Sequence, residues 1–539
     1  MDIGCWVSTA ANYVILPQRV IICIFGFLAI VNAFIMRHSV DIVLPKILPP
    51  VAKVKAEETK SGYFNCFRNL LGEDQVKRIT AWKWQSKESN CGTETKRSNY
   101  DLTGQVRTAV MISFYTGYII THVPGALLAE RYGGKWVLAV SIAITAFLTI
   151  LTPLAVNYSN IKGLISIRFL MGLSEGPLFP ALNIIMVEWV PARERGTLGS
   201  FVLSAGHIGI LMANLMTAIL MPYCEWSLIF YFFGVCALLW FVCFITLCYS
   251  DPESNPYIKE TERSYLRKSI GSTTINKAKE RETSFDSTAL ATALISTSSK
   301  INTSRSVTSL LSSYDVAQSN IIAVPSFSPP WREILTNGPM WALVAANIQH
   351  DLCQTFWVSE IRQLMEGGMI MDFRDNLCSC LKTLTPLLLN WVVSCISGVI
   401  SDVLVNENIL ETTESRRLMT LIAAFGPKIC SNFSCLMCNE QNDFSNIFNC
   451  AISAMGAYYA GVRLTSLDMS PRYAGTLMAI SNGLGSLSNL FAPFLEEFIT
   501  QPGPMQNVRS IVWLLCTMFT SGEVQSFNGP LVMINTNVT

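Results

Sequence analysis

The sequence predicts an all-α membrane protein of about 12 transmembrane helices in two pseudo-symmetric six-helix halves, and three observations predict it. Of its 539 residues only 14% are charged and 50% are hydrophobic, whereas an ordinary soluble domain is about 25% charged. Apolar runs near the bilayer-spanning length of about 20 residues recur along the chain. A polar stretch from Asp251 to Pro330, dense in Ser and Thr toward its end, divides those runs into two groups. The net charge of +1 gives no basic surface for nucleic acid.

The expected organisation follows from the order of the runs. Residues 1–19 form a cytosolic N-terminus with no basic, apolar and small-residue succession of a cleaved leader, so the first run is read as a retained span. Residues 20–249 form the first half. Its spans are placed at Val20–Met36 with Arg37 at the far end, Val106–Leu128, Trp136–Val156, the stretch around Arg168–Asn183, Thr197–Met221 and Ser227–Tyr249, with an extracytosolic loop at 46–104. Residues 250–330 read as a flexible cytosolic linker, since such a composition buries too little apolar surface to order itself. Residues 331–520 form the second half, with spans at Met340–Val358, Leu381–Ile400, Leu418–Leu436, Ile447–Leu464 and Thr476–Phe498, before a cytosolic tail at 521–539. The run Ser510–Phe519 has about half the length a twelfth span needs, so this half is expected to be incomplete.

Orientation rests on the basic residues of short loops. Arg131, Lys135, Arg193, Arg195, Arg416 and Arg417 fall on the side of the long linker, which places both termini in the cytosol. The sequons at Asn157 and Asn432 would then face the lumen or exterior, open to glycosylation. Most of the 17 cysteines sit in apolar runs, where the residue behaves as a small hydrophobe. Cys66 and Cys91 could pair outside the cytosol or remain free thiols. The cluster Cys430, Cys435, Cys438 and Cys450 lacks a zinc spacing, and no glycine-rich phosphate loop precedes a strand. Neither an enzyme nor a bound cofactor or metal is expected.

The chemistry concentrates in the fourth span, RFLMGLSEGPLFPALN from Arg168 to Asn183. Arg168 and Glu175 are seven positions apart, close to two helical turns, so they share a face about 10 Å apart along the axis. Ionisable groups at such depth normally face a bundle interior or a watery cavity. Gly172, Ser174 and Gly176 would let a neighbouring helix approach closely.

The link GALLAERYGGK after the second span, Gly125 to Lys135, has a weaker counterpart after the eighth, SGVISDVLVNENILETTESRR. Matching links at equivalent points indicate two parallel repeats. This pattern resembles the major facilitator superfamily, in which Gly125, Glu130, Arg131, Gly133 and Lys135 would form a cytosolic gate motif that latches helix ends and does not touch substrate. GYIITHVPGALLAERYGGKWV, RFLMGLSEGPLFPALN, EWVPARERG and YAGTLMAISNGL are together similar to the signatures of its anion:cation symporter family. That family includes sialin, the vesicular glutamate transporters and the type I phosphate cotransporters, and the similarity is strong to the insect phosphate cotransporters.

The resemblance implies roles residue by residue. Arg37 matches an arginine associated with the substrate's anionic group, and its planar fork of donors suits carboxylate or phosphate; the bland reading is a snorkelling side chain at a helix end. Glu175 matches the position that is glutamate in the proton-linked and vesicular members and often glutamine in the phosphate-type members, and such a carboxylate can exchange a proton as the cavity alternates between sides, with Arg168 as its electrostatic partner. His122 replaces the usual glutamine as a proton relay or packing residue. Tyr115 and Tyr118 read as cavity-lining or as packing aromatics, and His207 and Asn482 sit near the midplane as cavity groups or interhelical hydrogen-bonding groups. Met111 and His350 stand where vesicular glutamate carriers have histidine and arginine, which argues against glutamate. The expectation is a symporter of phosphate or a small organic anion, coupled to H+ or Na+, monomeric, in the plasma membrane or a lysosomal or vesicular membrane, with membrane lipid as its surroundings and no nucleic-acid partner. The alternative is a transport-incompetent paralogue or scaffold, or a chain whose coding sequence lacks part of the second half.

Overall fold

A computed structural model describes residues 16–47, 94–221, 223–270, 329–366, 377–437 and 449–491. The short run Ser510–Phe519, the pair Cys66 and Cys91 and the Ser/Thr-rich part of the linker lie outside the described residues. Those residues are all-α, with no strand among them, and six of their helical segments are long and apolar enough to cross a membrane.

In the first half, α1 is Gln18–Ile47, α2 Glu94–Tyr132 and α3 Gly134–Glu175. Helix α4 is Leu178–Trp189, α5 Arg195–Leu203, α6 Ala205–Leu220 and α7 Trp226–Leu247. The third span and the first part of the fourth are both contained in α3, which turns back at Asn160, a residue with φ of 48°. Asparagine tolerates that left-handed backbone better than most residues. The fourth span then breaks at Gly176-Pro177 and resumes as α4, and the fifth is α5 and α6 joined at Ser204.

Helix α1 differs from expectation in a way that matters. It continues past Arg37 to Ile47, with Val40, Val43 and Leu44 fully buried. The polar residues that marked a helix end are instead accommodated inside it, His38 pairing with Asp41 one turn on, at 3.5 Å. Arg37 is therefore an interior residue and not a snorkelling one.

The linker also departs from expectation, because its first part is folded. Helix α8, Glu260–Ile270, buries Leu266, and Ile258 just before it is buried too. Both Glu262 oxygens accept from the start of α1, from Gln18 N at 2.9 Å and Arg19 N at 3.1 Å. A carboxylate on the free N–H groups and positive dipole end of a helix is stabilising, and that contact offsets the cost of ordering a polar segment.

In the second half, α9 is Trp331–Thr336, α10 Gly338–Glu366, α11 Leu377–Asn406, α12 Thr412–Met437, α13 Val462–Met469 and α14 Ala474–Gly485. The tenth span is interrupted by a 3-10 turn at Met455–Tyr459 and by Gly461 before α13 begins.

Close approach of α2 to α3 sets the geometry of the interior. A Cβ on Gly172 would collide with the Phe114 carbonyl, and one on Gly117 with the Phe169 carbonyl. Small residues permit such backbone contact where lipid gives no hydrophobic drive for helices to associate. Ser174 serves a different neighbour, sharing a 2.7 Å hydrogen bond with Thr145. Gly172→Ala should overpack the contact at a cost of about 1–3 kcal/mol and lower the thermal midpoint of the detergent-solubilised protein. Gly338→Ala, where an added Cβ meets nothing within 4 Å, should not; equal midpoints for the two variants would contradict the close-approach account.

Candidate functional site

At the heart of the first half, Arg37 of α1 meets Glu175 at the end of α3. Both Nε, at 3.2 Å, and Nη2, at 2.6 Å, donate to Glu175 Oε2. The carboxylate side chain is 0% exposed and the guanidinium 11%, and Glu175 Oε1 has no hydrogen-bond partner. Around the cation stand four aromatic rings, with Cζ 4.7 Å from the centre of Phe34, 4.6 Å from Phe114, 5.2 Å from Tyr118 and 6.0 Å from Tyr115. Ring faces attract a cation, so this cage holds the guanidinium without neutralising it.

Arg168 shares the interior, as its position on α3 requires, and its charge acts on Glu175 without a hydrogen bond or ion pair between them. Its Nη1 donates to the Arg37 carbonyl at 2.9 Å, and its Nε and Nη2 are buried without a partner. The spacing along one helix put Arg168 and Glu175 on one face correctly, yet a residue brought in from α1 reaches the carboxylate directly.

The second half contributes the facing wall. Asn482 of α14 donates from Nδ2 to Tyr118 Oη at 2.9 Å, and the same nitrogen is 2.9 Å from His122 Nε2. His122 stacks obliquely on Tyr118 with ring centres 4.5 Å apart. Tyr118, His122 and Asn482 thus form one hydrogen-bonded bridge between the halves. Also between the halves, His207 Nε2 lies 3.0 Å from Gln354 Nε2 of α10. His350 packs flat on Tyr458 at 3.5 Å between ring centres.

One charged residue of this wall was missed by sequence reasoning. Arg463 of α13 donates to the side-chain oxygens of Asn347 and Asn482 and lies 5.0 Å from the centre of Phe179. Its signal was present, since an arginine inside a candidate span is a functional hypothesis by default. The irregular composition of the tenth span obscured it.

The link residues lie at the end of the bundle that carries α8, the linker end. Glu130 accepts from Thr476 N at 2.8 Å and from Thr476 Oγ1 at 3.0 Å, at the start of α14. Asp402, in the counterpart link of the second half, accepts from Gly196 N at 2.8 Å and Thr197 N at 2.6 Å, at the start of α5. Each half therefore holds a helix N-terminus of the other with a carboxylate. Between these latches Asp468 joins Arg195 of the first half, at 2.8 Å, to Arg416 of the second, at 2.9 Å. Of the remaining link residues, Gly133 has a φ of 94° that suits glycine, and Gly125 admits Pro177 against its backbone. Lys135 donates to the Ile245 carbonyl at 3.0 Å within its own half, and Arg131 is exposed.

Asn157 is exposed beside the Asn160 turn, at the opposite end. Asn432 lies within α12, but its side chain is outside the described residues. Among the described residues no group of His, Cys, Asp or Glu is arranged to hold a metal ion.

Fold and site together define a polytopic helical membrane transporter whose two halves meet around a charged interior and are latched at one end. Residues 97–493 match the family model for the Major Facilitator Superfamily, and the chain belongs to that superfamily. It is 24% identical over 520 residues to a Drosophila melanogaster protein named "Putative inorganic phosphate cotransporter", covering 94% of this chain and 85% of that one. It is 27% identical over 431 residues to human vesicular glutamate transporter 2, covering 78% of this chain and 65% of the relative. In fold it is similar to the proton:xylose symporter XylE, with a TM-score of 0.55 at 14% identity over 95% of this chain and 94% of the other.

The latches carry a direct expectation. Removing a charged acceptor from a buried N–H costs about 1.5–3 kcal/mol, so Asp402→Ala should speed amide hydrogen exchange at the start of α5 by roughly ten- to a hundredfold, and Glu130→Ala should do the same at the start of α14. Exchange unchanged at both sites would contradict the latch assignment.

Proposed function

We propose that this transporter is a symporter that carries inorganic phosphate or a small organic anion together with a proton, by alternating access to the interior between its halves. The observation that supports this reading most is the Arg37–Glu175 pair, in which the coupling carboxylate sits on the same donors that an anion would use. Ionised Glu175 occupies Nε and Nη2 of Arg37. When Glu175 takes up a proton, it releases the fork, and an anion with a planar pair of oxygens can replace it. Protonating Glu175 and placing one anionic charge on Arg37 leave the net charge of the pair unchanged, so either state of the pair can be enclosed. A proton or an anion entering alone leaves an uncompensated buried charge, which costs several kcal/mol.

In this reading Tyr115 and Tyr118 shape the cavity around the anion, and Asn482 and His122 tie that cavity to the second half. Arg168 supplies positive potential beside the pair, and His122 is a hydrogen-bonding residue in place of a relay. The linker end, rich in Arg and Lys, faces the cytosol, so Asn157 faces the lumen or exterior, where its sequon is open to glycosylation. The transporter acts as a monomer in the plasma membrane or in a lysosomal or vesicular membrane. The departures at Met111 and His350 from the glutamate carriers favour phosphate or another small anion over glutamate.

The test is uptake of a panel of labelled anions into proteoliposomes under imposed pH, sodium and potential gradients. Wild type should concentrate at least one anion when the outside is acid. Glu175→Gln should lose the response to the pH gradient while retaining exchange of internal for external anion. A pH response unchanged in Glu175→Gln would overturn the coupling assignment, and a response to sodium alone would replace the proton as the coupling ion.

A further inference from the structure

We propose that Arg463, carried by the second half, is a second anion-holding residue and selects substrates that carry two negative charges. The inference rests on the reading of this interior as an anion site and adds the chemical class of its substrate.

Arg463 is an unusual cation for an interior. Its hydrogen bonds go to the neutral amide oxygens of Asn347 and Asn482, and its Nε is buried with no partner. Among the described residues, no carboxylate comes within 4.0 Å of it. Asp351 of α10 belongs to the same region, and its charge acts on the guanidinium from a distance. Nearby in the first half, Arg37 is already held by Glu175, and Arg168 donates to backbone with two nitrogens unpartnered, so Arg463 is the cation that the second half brings to this bridge. A guanidinium bonded only to neutral acceptors keeps its full charge, and a buried donor without an acceptor is costly. An anionic oxygen relieves both.

Position makes the second contact useful. Arg37 lies 5.2 Å from the Tyr118 ring, Tyr118 Oη accepts from Asn482, and Asn482 accepts from Arg463. The two guanidinium groups therefore flank one bridge, one from each half. Phe34 and Phe179 connect them on another side, since Arg37 covers Phe34, Arg463 covers Phe179, and the two rings meet edge to face at 6.5 Å. An anion with a single charge satisfies one guanidinium. A dianion such as hydrogen phosphate or a short dicarboxylate presents charged oxygens to both, and in doing so joins the halves that must close around it.

The experiment compares inorganic phosphate, succinate and lactate in proteoliposomes for wild type, Arg463→Gln and Arg463→Lys. Wild type should favour the dianions, and Arg463→Gln should lower the ratio of dianion to lactate uptake by about tenfold or more. Arg463→Lys, which keeps the charge but loses the fork, should recover part of that ratio. Independently of any variant, phosphate or succinate should raise the melting temperature of the wild-type protein in detergent more than lactate does at equal concentration. An unchanged ratio in Arg463→Gln, or equal melting shifts for all three anions, would overturn the role of Arg463 while leaving the anion symporter standing. Failure of wild type to transport any anion would overturn that reading and this inference together.

Discussion

The ion pair between Arg37 and Glu175 is the contact on which the rest of the interior depends. Two charges removed from water cost several kcal/mol each, and their attraction repays this only in good geometry, whereas losing one partner strands the other. The chain meets that condition by running α1 past Arg37 to Ile47, by ending α3 at Glu175 and by closing four aromatic rings around the cation. Glycines at 117 and 172 bring α2 against α3 closely enough for Phe114 and Tyr118 to belong to that cage. A charge pair held this closely has a ready means of coupling, since an anion that takes Arg37 leaves the Glu175 carboxylate in need of a proton.

The two halves are not fastened in the same way at every level. Midway, the bridge of Tyr118, His122 and Asn482 is made of neutral hydrogen bonds. At the linker end the fasteners are charged, with Glu130 and Asp402 each holding the other half's helix start and Asp468 shared between Arg195 and Arg416. The reciprocal pattern makes physical sense in a repeat protein. The same acidic link recurs after the second and eighth spans, and the same helix–proline turn–helix recurs around Pro191 and Pro471, so one device is used twice about the axis relating the halves.

Much of this was legible in the sequence, for identifiable reasons. The helical halves follow from apolar length alone, and the interior position of Glu175 from a charge placed in an apolar run. The link motifs pointed to helix ends, and in the structure Glu130 accepts from Thr476 at the start of α14. What could not be read were contacts made across distant segments. Helical spacing offered Arg168 as the partner of Glu175, whereas packing of α1 against α3 supplies Arg37. Polar residues after Met36 suggested a helix end because their mutual pairing, His38 with Asp41, is invisible to hydropathy. The linker composition hid α8, whose order depends on capping α1. Arg463 went unrecognised because polar residues interrupt the apolar run of the tenth span.

The central claim is that an anion and Glu175 compete for Arg37, so that anion binding and protonation of Glu175 occur together. Infrared difference spectroscopy of the protein in proteoliposomes, recorded on addition of a transported anion near neutral pH, reads that carboxyl group directly. The account predicts that a protonated-carboxyl band grows as the anion binds, and that this band is absent in Glu175→Gln. Anion binding with no such band in the wild type, or with the same band in the variant, would contradict it.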